Sequence, residues 1–133
     1  MNPKILVFGS INADLVFPVE SLPAKGETVL SANYFFHPGG KGANQAVAAA
    51  KAGANVAFIG CVGKDVYSEE LIASLKKANV DTSHIKRGDT PTGCAAIGVD
   101  SSGENQIIVA SGANLEVLAS QIPDHLMNSS TIV

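Results

Sequence analysis

Ile5-Leu6-Val7-Phe8 is a continuous apolar run of strand length that Gly9 and Ser10 close, the pattern of a strand covered on both faces. A second buried strand is read over Asn55 to Gly60. Between the two, Ala43 to Ala52 is almost wholly strong helix formers, and Gly53 follows as a C-terminal stop. This order predicts a helical crossover joining two strands of a parallel α/β sheet. Ser68 to Ala78 carries Leu71, Ile72, Leu75 and Ala78 at helical spacing, with Glu69 and Glu70 at its start and Lys76 and Lys77 at its end, as the helix dipole favours.

Farther on, Thr92 to Asp100, the turn Ser101 to Asn105, and Gln106 to Val109 form a hairpin pattern. Ala95 and Ile97 share one small apolar face of its first strand, able to cover either a ligand or a core. A short helix is expected from Glu116 towards Gln121, ended by Pro123, with a turn at Asn128-Ser129-Ser130. Thr131-Ile132-Val133 reads as the opening of a further buried strand. Domains rarely stop on the first residues of a core strand, so the sequence reads as truncated.

One segment does not fit simple βαβ winding. After the turn Pro23-Ala24-Lys25-Gly26, Glu27 to Phe36 is rich in β-branched and aromatic residues and predicts a pair of short strands, in a small sheet of their own.

Composition narrows the picture. At 133 residues, 46% hydrophobic and 16% charged, the chain suits one soluble domain with a real core. A net charge of -3 with scattered basic residues argues against nucleic acid and anionic lipid as partners. The first apolar run is too brief for a signal or membrane segment, which points to the cytoplasm. Cys61 and Cys94 are far apart and outside metal or redox spacing, so buried free thiols are expected. His37, His84 and His125 lack metal spacing too and are expected on the surface or in turns.

The chemistry concentrates in His37-Pro38-Gly39-Gly40-Lys41-Gly42-Ala43-Asn44-Gln45-Ala46. Three glycines in four residues allow close backbone approach, and the helix start aims free N–H groups, a lysine ammonium and an asparagine amide at one point. The plainer reading is a tight helix–strand crossing with Lys41 in solvent. It is not a nucleotide P-loop, because glycine rather than Ser or Thr follows the lysine. Asn12 and Asp14 come just beyond the first strand, where α/β sheets bind ligands; if the chain stays extended they share a side, and an Asx turn is the alternative. Gly63-Lys64-Asp65 reads as a turn into the following helix rather than as a functional loop, and Arg87-Gly88-Asp89 as a turn without adhesive meaning.

Taken in order, Gly9-Ser10-Ile11-Asn12-Ala13-Asp14, Gly39-Gly40-Lys41-Gly42-Ala43-Asn44-Gln45-Ala46, Gly63-Lys64-Asp65 and Ser111-Gly112-Ala113-Asn114 resemble the amino-terminal part of the ribokinase branch of the PfkB sugar-kinase family. The resemblance covers essentially the whole chain. It implies a Rossmann-like α/β/α sandwich with a small β-sheet lid, formed by segments of about residues 15–38 and 92–110, that covers the sugar and pairs two subunits as a homodimer. It implies that Asn12, Asp14, Gly39, Gly40, Lys41 and Asn44 hold D-ribose or a related sugar, with Ala95 and Ile97 over the ring. The activity implied is phosphorylation of D-ribose to D-ribose 5-phosphate with Mg-ATP and a monovalent cation such as K+. Another sugar or nucleoside kinase of the family, or a non-catalytic sugar-binding and dimerising module, are the alternatives. The family's Gly-Ala-Gly-Asp motif, which carries its catalytic base, is absent from this sequence. Catalytic, nucleotide and cation residues are therefore not expected in the chain, and turnover is not expected of it. Ser68 stands where the family usually has glycine.

Overall fold

The computed structural model describes residues 4–133. Two four-stranded sheets organise them. The first contains β1 (Lys4–Phe8), β4 (Asn55–Val62), β5 (Asp81–Arg87) and β8 (Thr131–Ile132) in the order β5-β4-β1-β8, all parallel. The second contains β2 (Asn12–Pro18), β3 (Phe35–Gly39), β6 (Gly93–Val99) and β7 (Asn105–Ala110) in the order β3-β2-β6-β7. In that sheet β2 and β6 run parallel, flanked by antiparallel partners.

The expected crossover is present: β1 and β4 pair in parallel, and helix α1 (Lys41–Lys51) precedes β4. Alternation sends Val7, Val56 and Phe58 to one face of the first sheet, where they pack with Ala43 and Ala46 of α1 and with Leu71 and Leu75 of α2 (Val66–Lys77). Leu6, Ala57 and Ile59 point the other way, onto Leu126 of α3 (Asp124–Ser129). The architecture is thus an α/β/α sandwich with a second, mixed sheet beside it. Both cysteines are free, as expected; Cys61 is buried, whereas Cys94 is only half-buried.

Several expectations need correction. Only one strand forms at the end of Glu27 to Phe36, and it runs on through His37 and Pro38 to Gly39. Residues before it bond locally: the Ser31 hydroxyl donates to the carbonyls of Pro18 and Asn33, and Asn33 Oδ1 accepts from the Tyr34 N–H. Such side-chain bonds compete with a strand ladder. Strand β5 lacks an apolar run, because its sequence Asp-Thr-Ser-His-Ile-Lys-Arg lies at a sheet edge with only partial burial. In place of one helix from Glu116 there are two short 3-10 turns, Gly112–Glu116 and Ala119–Gln121, and α3 runs through Asn128 and Ser129, so that only Ser130 of the stretch read as a turn lies outside a helix. His37 and His125 are exposed, as expected, whereas His84 is half-buried in β5. Strand β8 is an exposed edge and not a buried strand, since among the described residues no strand pairs with its outer side. No described helix is long and apolar enough to cross a membrane.

Candidate functional site

The chain stays extended through Asn12 and Asp14, so both lie on one face of β2. Register then sets their company. Asn12 lies opposite Gly39 and Gly93, and Asp14 lies between His37 on one side and Ala95 on the other. Ile97 pairs with Ile107, and Ala95 with Val109, which extends the same face across the hairpin.

Close packing of glycines brings α1 to this face. Gly42 meets Gly9 so tightly that a Cβ on it would stand 2.8 Å from the Gly9 Cα and 2.9 Å from the Ser10 nitrogen. Gly40 takes φ 95°, in the left-handed region, and a Cβ there would meet the Ser10 carbonyl oxygen at 2.6 Å. The Ala43 N–H donates to the Ser10 carbonyl at 3.0 Å, fastening the helix start to the end of β1. The tight helix–strand crossing is therefore present, with Gly42 and Gly40 each packed against the backbone of residues 9–11.

Ser10, Asn12, Asp14, Gly40, Lys41, Asn44, Ala95, Ile97, Ile107, Val109, Ser111, Asn114 and Leu115 line one open cavity of about 470 Å³. Seven of the eight residues proposed from sequence meet there. Gly39 stands apart: it faces a smaller hollow of about 200 Å³ between α1 and α2, and a Cβ on it would collide with the Asp14 carboxylate. Its contribution is room for that carboxylate. Burial pushes the Asp14 carboxyl above its ordinary value of 3.8, while the charge of His37 acts the other way.

Asn114 is the site residue that the sequence-based expectation left out. Its Oδ1 accepts from the Ile11 N–H at 2.9 Å, and its Nδ2 donates to Asn12 Oδ1 at 2.7 Å and to the Ile11 carbonyl at 3.2 Å. The turn that carries it is anchored in turn. The Ala113 N–H donates to the Pro91 carbonyl at 2.8 Å, and the Glu116 carboxylate accepts from the N–H groups of Asp89 and Thr90 and from the Thr90 hydroxyl. Those bonds, led by the Thr90 hydroxyl, lower the Glu116 carboxyl to about 2.

Asp65 behaves as a turn residue. It caps α2 by accepting from the Ser68 N–H at 3.0 Å, and it accepts from the N–H and hydroxyl of Thr92. Burial works against its charge, yet these bonds prevail and hold its carboxyl below the ordinary value. Ser68 is fully buried; its hydroxyl donates to the Asp65 carbonyl at 2.6 Å and accepts from Arg87 at 2.8 Å.

Residues 2–132 match the profile of the pfkB family carbohydrate kinases. The ribokinase of Haemophilus influenzae is 47% identical over 115 residues, which are 86% of this chain and 38% of that protein. Among solved structures, the ribokinase of Thermotoga maritima superposes with a TM-score of 0.86 at 38% identity, over 99% of this chain and 44% of its own. The ribokinase of Arabidopsis thaliana, solved with ribose and ATP, superposes with a TM-score of 0.77 at 36% identity, over 86% of this chain and 38% of its own. The chain thus spans less than half the length of these relatives.

Proposed function

The chain belongs to the pfkB family of carbohydrate kinases, and from that premise we propose that it is the sugar-holding part of a ribokinase, which moves the γ-phosphoryl group of Mg-ATP to the 5-hydroxyl of D-ribose. The observation that carries the reading is the convergence of Asn12, Asp14, Lys41 and Asn44 on one cavity that Ala95, Ile97, Ile107, Val109 and Leu115 also line with apolar surface. A sugar presents hydroxyls that donate and accept on its edges, and C–H groups on its faces. A carboxylate, two amides and an ammonium match the former, and Ala95 with Ile97 matches the latter. A missing hydroxyl would leave one of these polar groups unpaired, which is the source of specificity.

Phosphoryl transfer also needs a base at the attacking hydroxyl and donors around the phosphate. The cavity lining supplies a single carboxylate, Asp14, already committed to the sugar, and among the described residues no group of three or more His, Cys, Asp or Glu converges on a metal. The reading assigns the Mg-nucleotide, the monovalent cation and the catalytic base to parts of the enzyme outside this lining. The lid role of the second sheet, homodimer formation through it and a cytoplasmic location complete the reading; the supporting feature for the lid is that Ile97, Ile107 and Val109 of that sheet line the cavity.

Calorimetric titration of the purified chain with D-ribose tests the assignment. Binding that Asp14→Ala weakens by about ten- to a hundredfold is the expected result, since a hydrogen bond to a charged acceptor contributes ~1.5–3 kcal/mol. Equal affinity in the variant, or tighter binding of 2-deoxyribose or fructose, overturns it. ADP release from the chain given ATP and ribose is expected not to exceed that of the Asp14→Ala control.

A further inference from the structure

We propose that Asn114 is a positioning residue that fixes which way the Asn12 amide faces, and so makes Asn12 a hydrogen-bond donor to the ligand. The sugar-site reading above is the basis for the word ligand; the orientation itself stands on geometry alone. A carboxamide has an accepting end and a donating end of nearly equal shape, and its neighbours decide which end points where. The chain of decisions begins at a group without freedom. The Ile11 backbone N–H can only donate, so the Asn114 atom 2.9 Å from it is the oxygen. The other end of Asn114 is then the NH2 group, which donates to the Ile11 carbonyl at 3.2 Å. That carbonyl can only accept, so both sides of the Ile11 peptide demand the same orientation.

The Asn114 NH2 group has a second proton, directed to Asn12 at 2.7 Å. Asn12 must answer with its oxygen. Among the described residues its own NH2 group has no hydrogen-bond partner, and Asn12 lines the cavity, which leaves that group for a ligand there. Two residues on and on the same face, Asp14 presents a carboxyl group, an acceptor on both oxygens whenever it is ionised. The strand therefore offers a donor and an acceptor side by side: one ligand hydroxyl accepts from Asn12 while a neighbouring one donates to Asp14. The ligand class this pattern suits is a diol on adjacent carbons.

The test uses the whole chain labelled with nitrogen-15, its side-chain amides assigned by NMR, and solvent exchange measured without any ligand. Exchange of the Asn114 NH2 protons is expected to be at least about tenfold slower than that of the Asn12 NH2 protons, as a hydrogen bond of ordinary strength implies. In Asn114→Asp the Asn12 amide is expected to turn over and donate to the new carboxylate, so that its NH2 exchange slows by a similar factor and D-ribose affinity falls. A merely structural role for Asn114 would loosen the site and speed that exchange instead. Equal exchange at the two amides in the native chain overturns the inference, as does unchanged or faster Asn12 exchange in the variant. The native comparison needs no variant, so it decides the matter even if Asn114→Asp fails to fold. Should the exchange pattern hold while D-ribose fails to bind, the sugar reading falls and the orientation of Asn12 stands.

Discussion

Asp14 is held in a position that costs stability, because burial disfavours its charged form. A carboxylate whose folded pKa is raised prefers its proton in the native state, so folding weakens as pH climbs from the unfolded value through the raised folded one. Asp14→Asn removes that penalty. Urea unfolding of the two proteins should give matching stabilities well below the ordinary value of 3.8, and a growing advantage for Asp14→Asn as pH rises to neutrality. Ribose affinity should move oppositely, falling about ten- to a hundredfold in the variant at neutral pH because the charged acceptor is gone. A variant less stable than the parent at neutral pH would contradict the assigned cause. Asn12 and Asp14 were legible from sequence because alternation along one strand is local. Asn114 was not legible as their partner, since 102 residues separate it from Asn12 and only the pairing of β2 with β6 brings the Ser111 turn alongside.

At the scale of elements, the site depends on where α1 begins. Lys41 and Asn44 reach the cavity only because Gly42 lets the first turn of α1 rest on Gly9. In Gly42→Ala the new methyl would meet backbone atoms, which cannot rotate aside as a side chain would. Alanine gains up to ~1 kcal/mol in helix propensity, whereas overpacking against fixed atoms costs ~1–3 kcal/mol. The net expectation is destabilisation of about 1–2 kcal/mol in denaturant melts, together with weaker ribose binding as the helix start is pushed away from β2. Gly53→Ala is the control: its φ of 93° makes alanine strained there, but no atom lies near, so it should cost stability and spare affinity. Elements with their own apolar rhythm, such as β1, β4, α1, α2 and the hairpin, were readable in the sequence. Strand β5 was not, because an edge strand with half its face in water carries no such rhythm, and the irregular path before β3 arises from bonds between Ser31, Asn33 and Pro18 that no periodicity records.

For the whole molecule the decisive feature is the β7 edge of the second sheet, on whose outer side no strand pairs among the described residues. Strand β7 is exposed along its entire length, and Ile108 is 77% accessible on the face opposite Ile107 and Val109. A flat apolar edge strand with an unpaired ladder invites another strand, and soluble proteins usually blunt such an edge with charge, proline or a cover. Residues 106–110, Gln-Ile-Ile-Val-Ala, contain none of these. Pairing of two copies through this sheet, as proposed for the lid, is the ordered way to satisfy the edge; the disordered way is aggregation. Ile108→Lys puts a charge on the strand at the position facing away from the cavity, so it should weaken self-association while leaving the sugar contacts in place. Sedimentation at micromolar concentrations is expected to show the parent as a dimer and the variant as a monomer of unchanged circular dichroism, with D-ribose affinity within about twofold, less than the loss of one hydrogen bond would cause. A monomeric parent sinks the pairing, and a dimeric variant moves it to another face. A monomeric variant that no longer binds sugar would mean that the second sheet holds its place over the cavity only when a partner copy supports it.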